Sequence, residues 1–264
     1  MKKLKFLVKI FLLKGMCLFF LTSPVKAQLC LGEEAFLCLG YLAYSGIYAG
    51  WGVQFYNAEG LNHYIEVYNA NRPQLTQQMD EFGMGHGFLF GANIARFQAD
   101  ELLFNMEGFY QRINEKEEAK VSSGGIEASR TFDLDLDIWG IGMNVSYFVN
   151  KNIDIKFIDV SVLFISSEFE NIYQAGTDPE DTEVLNNVNS SIGVNLNAGI
   201  TFYLIPPYIS IEPSVGYSFF GIDEMEFENG SKLANDENSS QAMDNFISSG
   251  GLYGSAQLII LIPL

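Results

Sequence analysis

An alternation of period two, repeated in eight segments, constrains the fold of this chain more than any other feature. In the sixth segment, 191–202, apolar residues from Ile192 to Phe202 occupy every second position, with Ser, Asn, Gly and Thr between them. Successive side chains of a β-strand point to opposite faces, whereas a helix repeats about every 3.6 residues. The pattern therefore predicts strands with one apolar and one polar face. The other seven segments are 44–56, 83–97, 102–111, 130–148, 158–164, 209–219 and 251–264.

The connections between these segments alternate in length. Three are short, namely QADE, NKN and IPP, and the others are long and polar. The long connections are 57–82, 114–130, 169–188 and 223–246. Antiparallel strands joined in this way place every long connection at one end of a sheet and every short turn at the other. A sheet with an even number of such strands can close into a barrel. The sequence therefore predicts an all-β fold, a closed antiparallel up-and-down β-barrel of eight strands.

Residue size indicates which face of the barrel is outside. The polar face carries mainly Gly, Asn and Ser, which suit a narrow interior, and the apolar face carries the large side chains. A soluble barrel would instead turn its large apolar groups inward. The apolar face is therefore predicted to contact lipid, which makes the barrel transmembrane. Because eight strands enclose a space only wide enough for side chains, the lumen is predicted to be polar and filled.

The segment RTFDLDLDIWGIGMNVSYF, residues 130–148, places acids and large apolar groups on the same face. The three acids are Asp133, Asp135 and Asp137. They lie on the same face of the strand as the alternate residues from Trp139 to Tyr147. This stretch has about the 9 to 11 residues that a tilted membrane strand needs. It also has an aromatic residue at each end, as expected at the two membrane interfaces. A straight pleat would place the acids in water above the membrane. A β-bulge near Ile138 would turn them into the lumen, and the sequence leaves both alternatives open.

The turn at 150–151 leads to predictions about the remaining charges. A two-residue turn would pair Val145 with Lys156, so that Lys156 would lie at the lower interface and extend its ammonium group to water. Three acids fall on the lumen face: Glu107, Asp159 and Glu212. Buried acids need partners, and Arg112 and Arg130 are the candidates.

The first 27 residues combine a basic start, an apolar run and a V-K-A site, which together predict a signal peptide over 1–27. Its removal takes away six lysines and no acid, so the formal charge changes from -17 to about -23, which excludes nucleic acid as a partner. Residues 28–43 would follow as an N-terminal segment. In this segment either Cys30 and Cys38 are joined in a disulfide, or Cys30 carries a lipid anchor, which the absence of a small residue just before it disfavours.

The connection 57–82 has apolar residues at i, i+3, i+4 and i+7 from Leu61, which predicts a short amphipathic helix before Pro73. We expect it to cover the barrel mouth, against the inward-facing Leu134 and Leu136. The only histidines are His63, which lies in this helix, and His86, which lies on the lipid-facing phase.

The chain resembles the small eight-stranded outer-membrane barrels of the outer-membrane protein A and X type, including forms found in Bacteroidetes. The resemblance rests on the signal peptide, the eight alternating segments and the long and short connections over 44–264. It implies an outer-membrane location, a periplasmic 28–43 segment, periplasmic turns and extracellular loops. The chain departs from the family at Leu264, where an aromatic residue is usual.

Taken together, these features predict a non-enzymatic outer-membrane protein with a structural or interaction role at the cell surface. Its expected partners are outer-membrane lipids and lipopolysaccharide, with divalent cations at the acidic loops, and the expected state is a monomer. No catalytic, cofactor-binding or metal-binding residue is assigned, and no cofactor is expected. Two alternatives remain open: a lipid-modifying enzyme centred on His63, and a small passive pore.

Overall fold

The computed structural model describes residues 44–99, 101–123 and 126–263. The predicted signal peptide, the segment 28–43 and its two cysteines lie outside the described residues. Within the described ranges the chain forms ten strands and one helix, in the order β1 Tyr44–Asn57, α1 Glu59–Ala70, β2 Met84–Ala99, β3 Leu102–Ser123, β4 Ile126–Asn150, β5 Ile153–Ala175, β6 Asp181–Asn187, β7 Ser191–Ile205, β8 Ile209–Phe219, β9 Met225–Phe227 and β10 Ser249–Pro263.

Eight of these strands form a closed antiparallel ring, which confirms the predicted fold class. Neighbours in the ring are β1, β2, β3, β4, β5, β7, β8 and β10, and β10 pairs with β1 to close it. The short strand β6 pairs with the loop-end part of β5, and β9 pairs with β6, outside the ring. The three short turns join β2 to β3, β4 to β5 and β7 to β8 at one end, called here the turn end. The opposite end is the loop end.

Two of the predicted long loops are largely strand. The hairpin of β3 and β4 stays paired from Leu102 to Ser123, and β5 continues to Ala175 and pairs with β6. The predicted long polar connections 114–130 and 169–188 therefore consist largely of strand. Cross-strand hydrogen bonds satisfy backbone groups in water as well as in lipid, so a polar hairpin can extend the barrel wall beyond the membrane.

The pleat of β4 is straight through its aspartates. Its pairs with β3 and β5 run without a register shift from Ala128 to Val145. Asp137 and Trp139 therefore point to the same outer side, while Leu136 and Ile138 are buried inside. The alternative of a β-bulge near Ile138 is wrong.

The exterior carries a continuous apolar belt. On β7, Val194, Leu196 and Ile200 are exposed while Asn195 is buried, which confirms the predicted direction of the two faces. At the upper edge of this belt one cross-strand row runs over four strands and is called here the girdle row: Tyr110, Trp139, Phe164 and Ile192. No helix in the described residues is long and apolar enough to cross a membrane.

The interior has three layers. At the loop end a large apolar core contains the buried side of α1, with Leu61, Ile65 and Tyr68, packed with Leu134 and Leu136 as predicted. The middle layer is polar and charged. A smaller apolar cluster extends from the middle layer towards the turn end; its buried members are Tyr48, Leu89, Tyr203, Ile259 and Leu261.

Candidate functional site

A band of polar side chains, called here the collar, lies on the outer face of β3, β4 and β5 directly above the girdle row. Its members are Arg112, Asn114, Lys116, Asp133, Asp135, Asp137, Glu168 and Glu170. It forms because the outward positions of all three strands change from apolar to polar residues at one level, while the strands continue past it. A charge at the bilayer midplane costs roughly 2–4 kcal/mol, but near the interface the cost falls towards zero.

Ion pairs between strands fix the side of the collar formed by β3 and β4. Arg112 makes a two-point contact with Asp135, with Nη2 2.6 Å from Oδ2 and Nε 3.2 Å from Oδ1. Lys116 Nζ lies 3.3 Å from Asp133 Oδ2. The hydrogen bonds that Arg112 donates to Asp135, followed by the negative charge of Asp135, raise the pKa of Arg112. The basic side chains of Arg112 and Lys116 stay 44% and 53% exposed, so a further anion can reach both.

The β5 side of the collar has an excess of negative charge. Glu168 pairs across the strands with Asp135, and Glu170 with Asp133. Within the described ranges neither glutamate side chain makes a hydrogen bond or an ion pair. Like charges directly opposite each other on neighbouring strands destabilise a sheet, so a cation bound between them would relieve this repulsion.

A buried charge network fills the middle of the lumen. Lys156 Nζ is 3.2 Å from Asp159 Oδ2 and also pairs with Glu212. Glu212 accepts further hydrogen bonds of 2.8 Å from Thr201 and Gln257. Asn144 donates to Glu107 at 3.2 Å. The expected partners Arg112 and Arg130 are therefore wrong, since Lys156 supplies the positive charge.

The predicted position of Lys156 at the lower membrane interface is also wrong. Val145 pairs with Ile158 instead of Lys156, and the next residue of β4 pairs with Lys156, so Phe157 is an extra residue in β5. This bulge turns Lys156 into the lumen. Phe157 and Ile158 are adjacent in sequence, and both are exposed on the outer face. Two neighbouring apolar residues interrupt the alternation, and this interruption was the sequence signal that could have revealed the bulge.

The lumen around the network has little free volume. Two cavities of about 30 Å³ each adjoin Lys156 and Glu107, one towards Arg96 and Ile259 and the other towards Tyr48. Each has room for about one water molecule.

Helix α1 is held over the mouth by side-chain clamps. Asn62 exchanges two hydrogen bonds of 2.8 Å with the backbone of Phe82, and Asn69 makes the same exchange with Met79 at 2.9 and 3.2 Å. A Cβ at Gly60 would come within 2.8 Å of the carbonyl oxygen of Asn245, so this close approach requires glycine. These contacts fix the connection from α1 to β2 as a cover.

One carboxylate ties the connection between β9 and β10 to this cover. Glu237 contacts Arg72 at 2.5 and 2.8 Å and Arg130 at 3.2 Å. Both guanidinium groups lie over the ring of Tyr68, at 4.0 and 5.0 Å from its centroid. The hydrogen bonds that Arg72 donates to Glu237 raise the pKa of Arg72 despite partial burial. Residues so far apart in sequence gave no signal of this contact, which we call the Glu237 clasp.

The two histidines lie apart. His86 is exposed on the outer face of β2, 5.7 Å from the Trp51 ring, as its phase predicted. His63 is exposed on the outer side of α1, and its side chain makes no hydrogen bond or ion pair within the described residues. The same part of the chain contains no group of three or more His, Cys, Asp or Glu that could hold a metal ion.

The ring of eight strands, its apolar belt and the collar define a transmembrane β-barrel with a covered mouth. No protein-family model matches the chain, and no curated protein matches it. The chain is similar to several solved structures, three of which follow. Ail, the attachment invasion locus protein of Yersinia pestis, has 10% identity over 83% of this chain and 99% of that chain, with a TM-score of 0.37.

Neisserial surface protein A has 9% identity over 82% of this chain and 96% of that chain, with a TM-score of 0.39. The outer membrane protease OmpT of Escherichia coli has 11% identity over 83% of this chain and 96% of that chain, with a TM-score of 0.36. Likenesses at this level carry no argument about function. The barrel assignment rests on the strand order and register described above.

Proposed function

We propose that the chain is a non-enzymatic outer-membrane protein that contacts lipopolysaccharide through its collar. Arg112 and Lys116 bind lipid phosphates directly, and a divalent cation at Glu168 and Glu170 bridges to further phosphates. The observation that carries the proposal is the straight pleat of β4, which places charged residues on the outer side directly above Trp139. At that depth headgroups replace hydrocarbon.

The chemistry of the collar fits phosphate. An arginine guanidinium can hold phosphate and carboxylate oxygens in two-point contacts, and Ca²⁺ and Mg²⁺ prefer carboxylate and phosphate oxygens. The carboxylates alone would repel a polyanion. The half-exposed bases and a bound cation together convert this side of the barrel into a surface that a phosphorylated lipid can approach.

The location is tested by fractionating cells and following the migration of unheated and heated protein on gels. We expect the protein in the outer-membrane fraction, with heat-dependent migration.

The collar is tested by lipopolysaccharide binding of the purified protein, with and without EDTA. Two double variants should each weaken lipopolysaccharide binding: Arg112→Ala/Lys116→Ala and Glu168→Gln/Glu170→Gln. EDTA should weaken binding by proteins that retain Glu168 and Glu170, and it should have no further effect on the glutamate double variant. Lys151→Ala at the turn end is the matched control and should bind lipopolysaccharide like the wild type. Unchanged binding by both double variants would contradict the proposal.

According to the same proposal, the lumen does not conduct ions and His63 does not catalyse a reaction, in contrast to the pore and enzyme alternatives. The charge network, the two one-water cavities and the apolar layers above and below support a filled lumen. Planar-bilayer recordings should give no current steps above background, and His63→Ala cells should keep an unchanged lipid profile. Reproducible steps, or an altered lipid profile in the variant, would favour the pore or the enzyme instead.

A further inference from the structure

A cleft of about 560 Å³ lies at the loop end on the β7 and β8 side of the barrel. Three chain segments form its walls: 187–192, 221–224 and 244–245. Its volume falls in the range of roughly 300–1,000 Å³ that small-molecule sites occupy. It is separate from the collar, the lumen network and the Glu237 clasp.

Backbone hydrogen bonds hold the walls together. Val188 N donates to Glu224 O at 3.2 Å, and Phe246 N donates to Asp223 O at 3.1 Å. Ile222 and Ile247 exchange two hydrogen bonds of 2.9 Å. The three segments are therefore joined to one another, and the cleft is preformed rather than assembled by a ligand.

The lining offers hydrogen-bond acceptors and little apolar surface. Amide and hydroxyl groups come from Asn189, Ser190 and Ser191, and carboxylates from Asp223 and Asp244. Within the described residues these two aspartates make no side-chain hydrogen bond or ion pair. The third acid, Glu224, is already paired with Lys232 at 2.6 Å. The cleft thus holds two unpaired negative charges beside neutral polar groups.

The register fixes the depth of the cleft relative to the apolar belt. Ile192 pairs with Phe164 in the girdle row and is 69% exposed on the outer face. Ser191, Ser190 and Asn189 are the three residues just above it. The cleft is therefore at the level of the collar, where lipid headgroups would lie, but on another side of the barrel.

We propose that this cleft binds a primary ammonium group carried beside hydroxyl groups, the chemistry of an amino sugar or of an amine-bearing lipid headgroup. An ammonium group has three donors and no acceptor, which matches the acceptor-only carboxylates of Asp223 and Asp244. The neighbouring amides and hydroxyls both donate and accept, which suits sugar or phosphate oxygens. An anion lacking the ammonium group would be repelled.

The first test titrates glucosamine into the full mature protein in a polyoxyethylene detergent, which contributes neither sugar nor amine, and follows amide signals by NMR. Glucosamine should shift the signals of Asn189 and Ser190, and glucose should bind at least about tenfold more weakly because it lacks the charge-assisted hydrogen bonds. Asp223→Asn/Asp244→Asn should lose at least about tenfold in glucosamine affinity. The control Asp178→Asn/Glu180→Gln removes two charges from the exposed turn between β5 and β6 and should bind like the wild type.

The second test decides the source of the ligand and rests on the membrane placement proposed above, which the first test does not need. Protein is reconstituted with equal phosphatidylethanolamine and phosphatidylcholine, and the retained lipids are identified by native mass spectrometry. Wild-type enrichment of phosphatidylethanolamine, lost in the Asp223/Asp244 double variant, identifies a lipid headgroup. Glucosamine binding without such enrichment identifies a soluble amino sugar. Equal affinity for glucose and glucosamine, with no lipid enrichment, overturns the proposal.

Discussion

Lys156 is the residue on which the lumen depends most. Among the described residues it is the one base that pairs with Asp159 and Glu212 in the buried network, and its side chain is only 5% exposed. Replacing it by methionine would leave buried carboxylates without a counter-charge, which typically costs about 3–5 kcal/mol. We therefore expect Lys156→Met to lower the free energy of unfolding by about that amount, measured by urea unfolding in lipid vesicles.

Two further variants separate charge from packing at this position. Lys151→Met removes an equivalent charge from the exposed turn between β4 and β5 and should leave stability within about 0.5 kcal/mol of the wild type. Adding Glu212→Gln to Lys156→Met should restore part of the loss because one unpaired carboxylate disappears. If Lys156→Met is as stable as the wild type, the buried pairing does not stabilise the barrel.

The same residue shows where sequence reasoning reached its limit. Side-chain alternation gave the two faces of β4 and β7 correctly, since exposed and more buried positions alternate along both strands without interruption through the belt. A single extra residue at Phe157 reverses the phase beyond it, so Lys156 moved from the expected outer face to the lumen. Glu237 could not be found at all, because its two arginines are 165 and 107 residues away.

At the scale of elements, α1 is stabilised by tertiary packing more than by its own sequence. It has 12 residues and no side-chain cap at its first turn, and isolated helices of that length are marginal in water. Its amphipathic pattern was visible in the sequence, but the clamps of Asn62 and Asn69 were not. The helix should therefore respond sharply to loss of a buried contact.

Ile65→Ala tests this dependence. Ile65 is fully buried in the upper core, and such truncations cost about 2–5 kcal/mol. We expect faster hydrogen exchange of the α1 amides, while the barrel strands stay protected and heat-modifiable migration persists. His63→Ala, on the exposed side of the same helix, is the matched control. Unchanged exchange in Ile65→Ala would mean that the cover does not rely on this face.

The Glu237 clasp makes a second prediction at this scale. Glu237→Gln keeps the shape of the side chain but removes the charge shared by Arg72 and Arg130. The segment between β9 and β10 should then be cleaved faster by limited proteolysis, with β1 to β5 unaffected. Glu228→Gln, which changes an exposed acid at the start of the same segment, should not change the cleavage rate. Equal cleavage of both variants would argue that the clasp does not restrain the segment.

At the scale of the whole molecule, one physical requirement orders the exterior: large apolar groups face hydrocarbon, and charges begin where water and headgroups begin. On β4 both regimes occur on a single outward face, with Asp133 to Asp137 above and Trp139 to Tyr147 below. The sheet itself is continuous across the boundary. The membrane level is therefore set by side-chain chemistry alone, and the same substitution should have opposite consequences on either side of it.

Met143 lies midway between Trp139 and Tyr147 and is 59% exposed on the belt. Met143→Arg should lower the free energy of unfolding in vesicles by about 2–4 kcal/mol, because the charge enters the bilayer midplane. Ser129→Arg, an outward position on the same strand above the collar, should change it by less than about 0.5 kcal/mol. Both are measured by urea unfolding with tryptophan fluorescence. If the two substitutions cost the same, the belt is not in hydrocarbon, since only a bilayer distinguishes two outward positions of one straight strand.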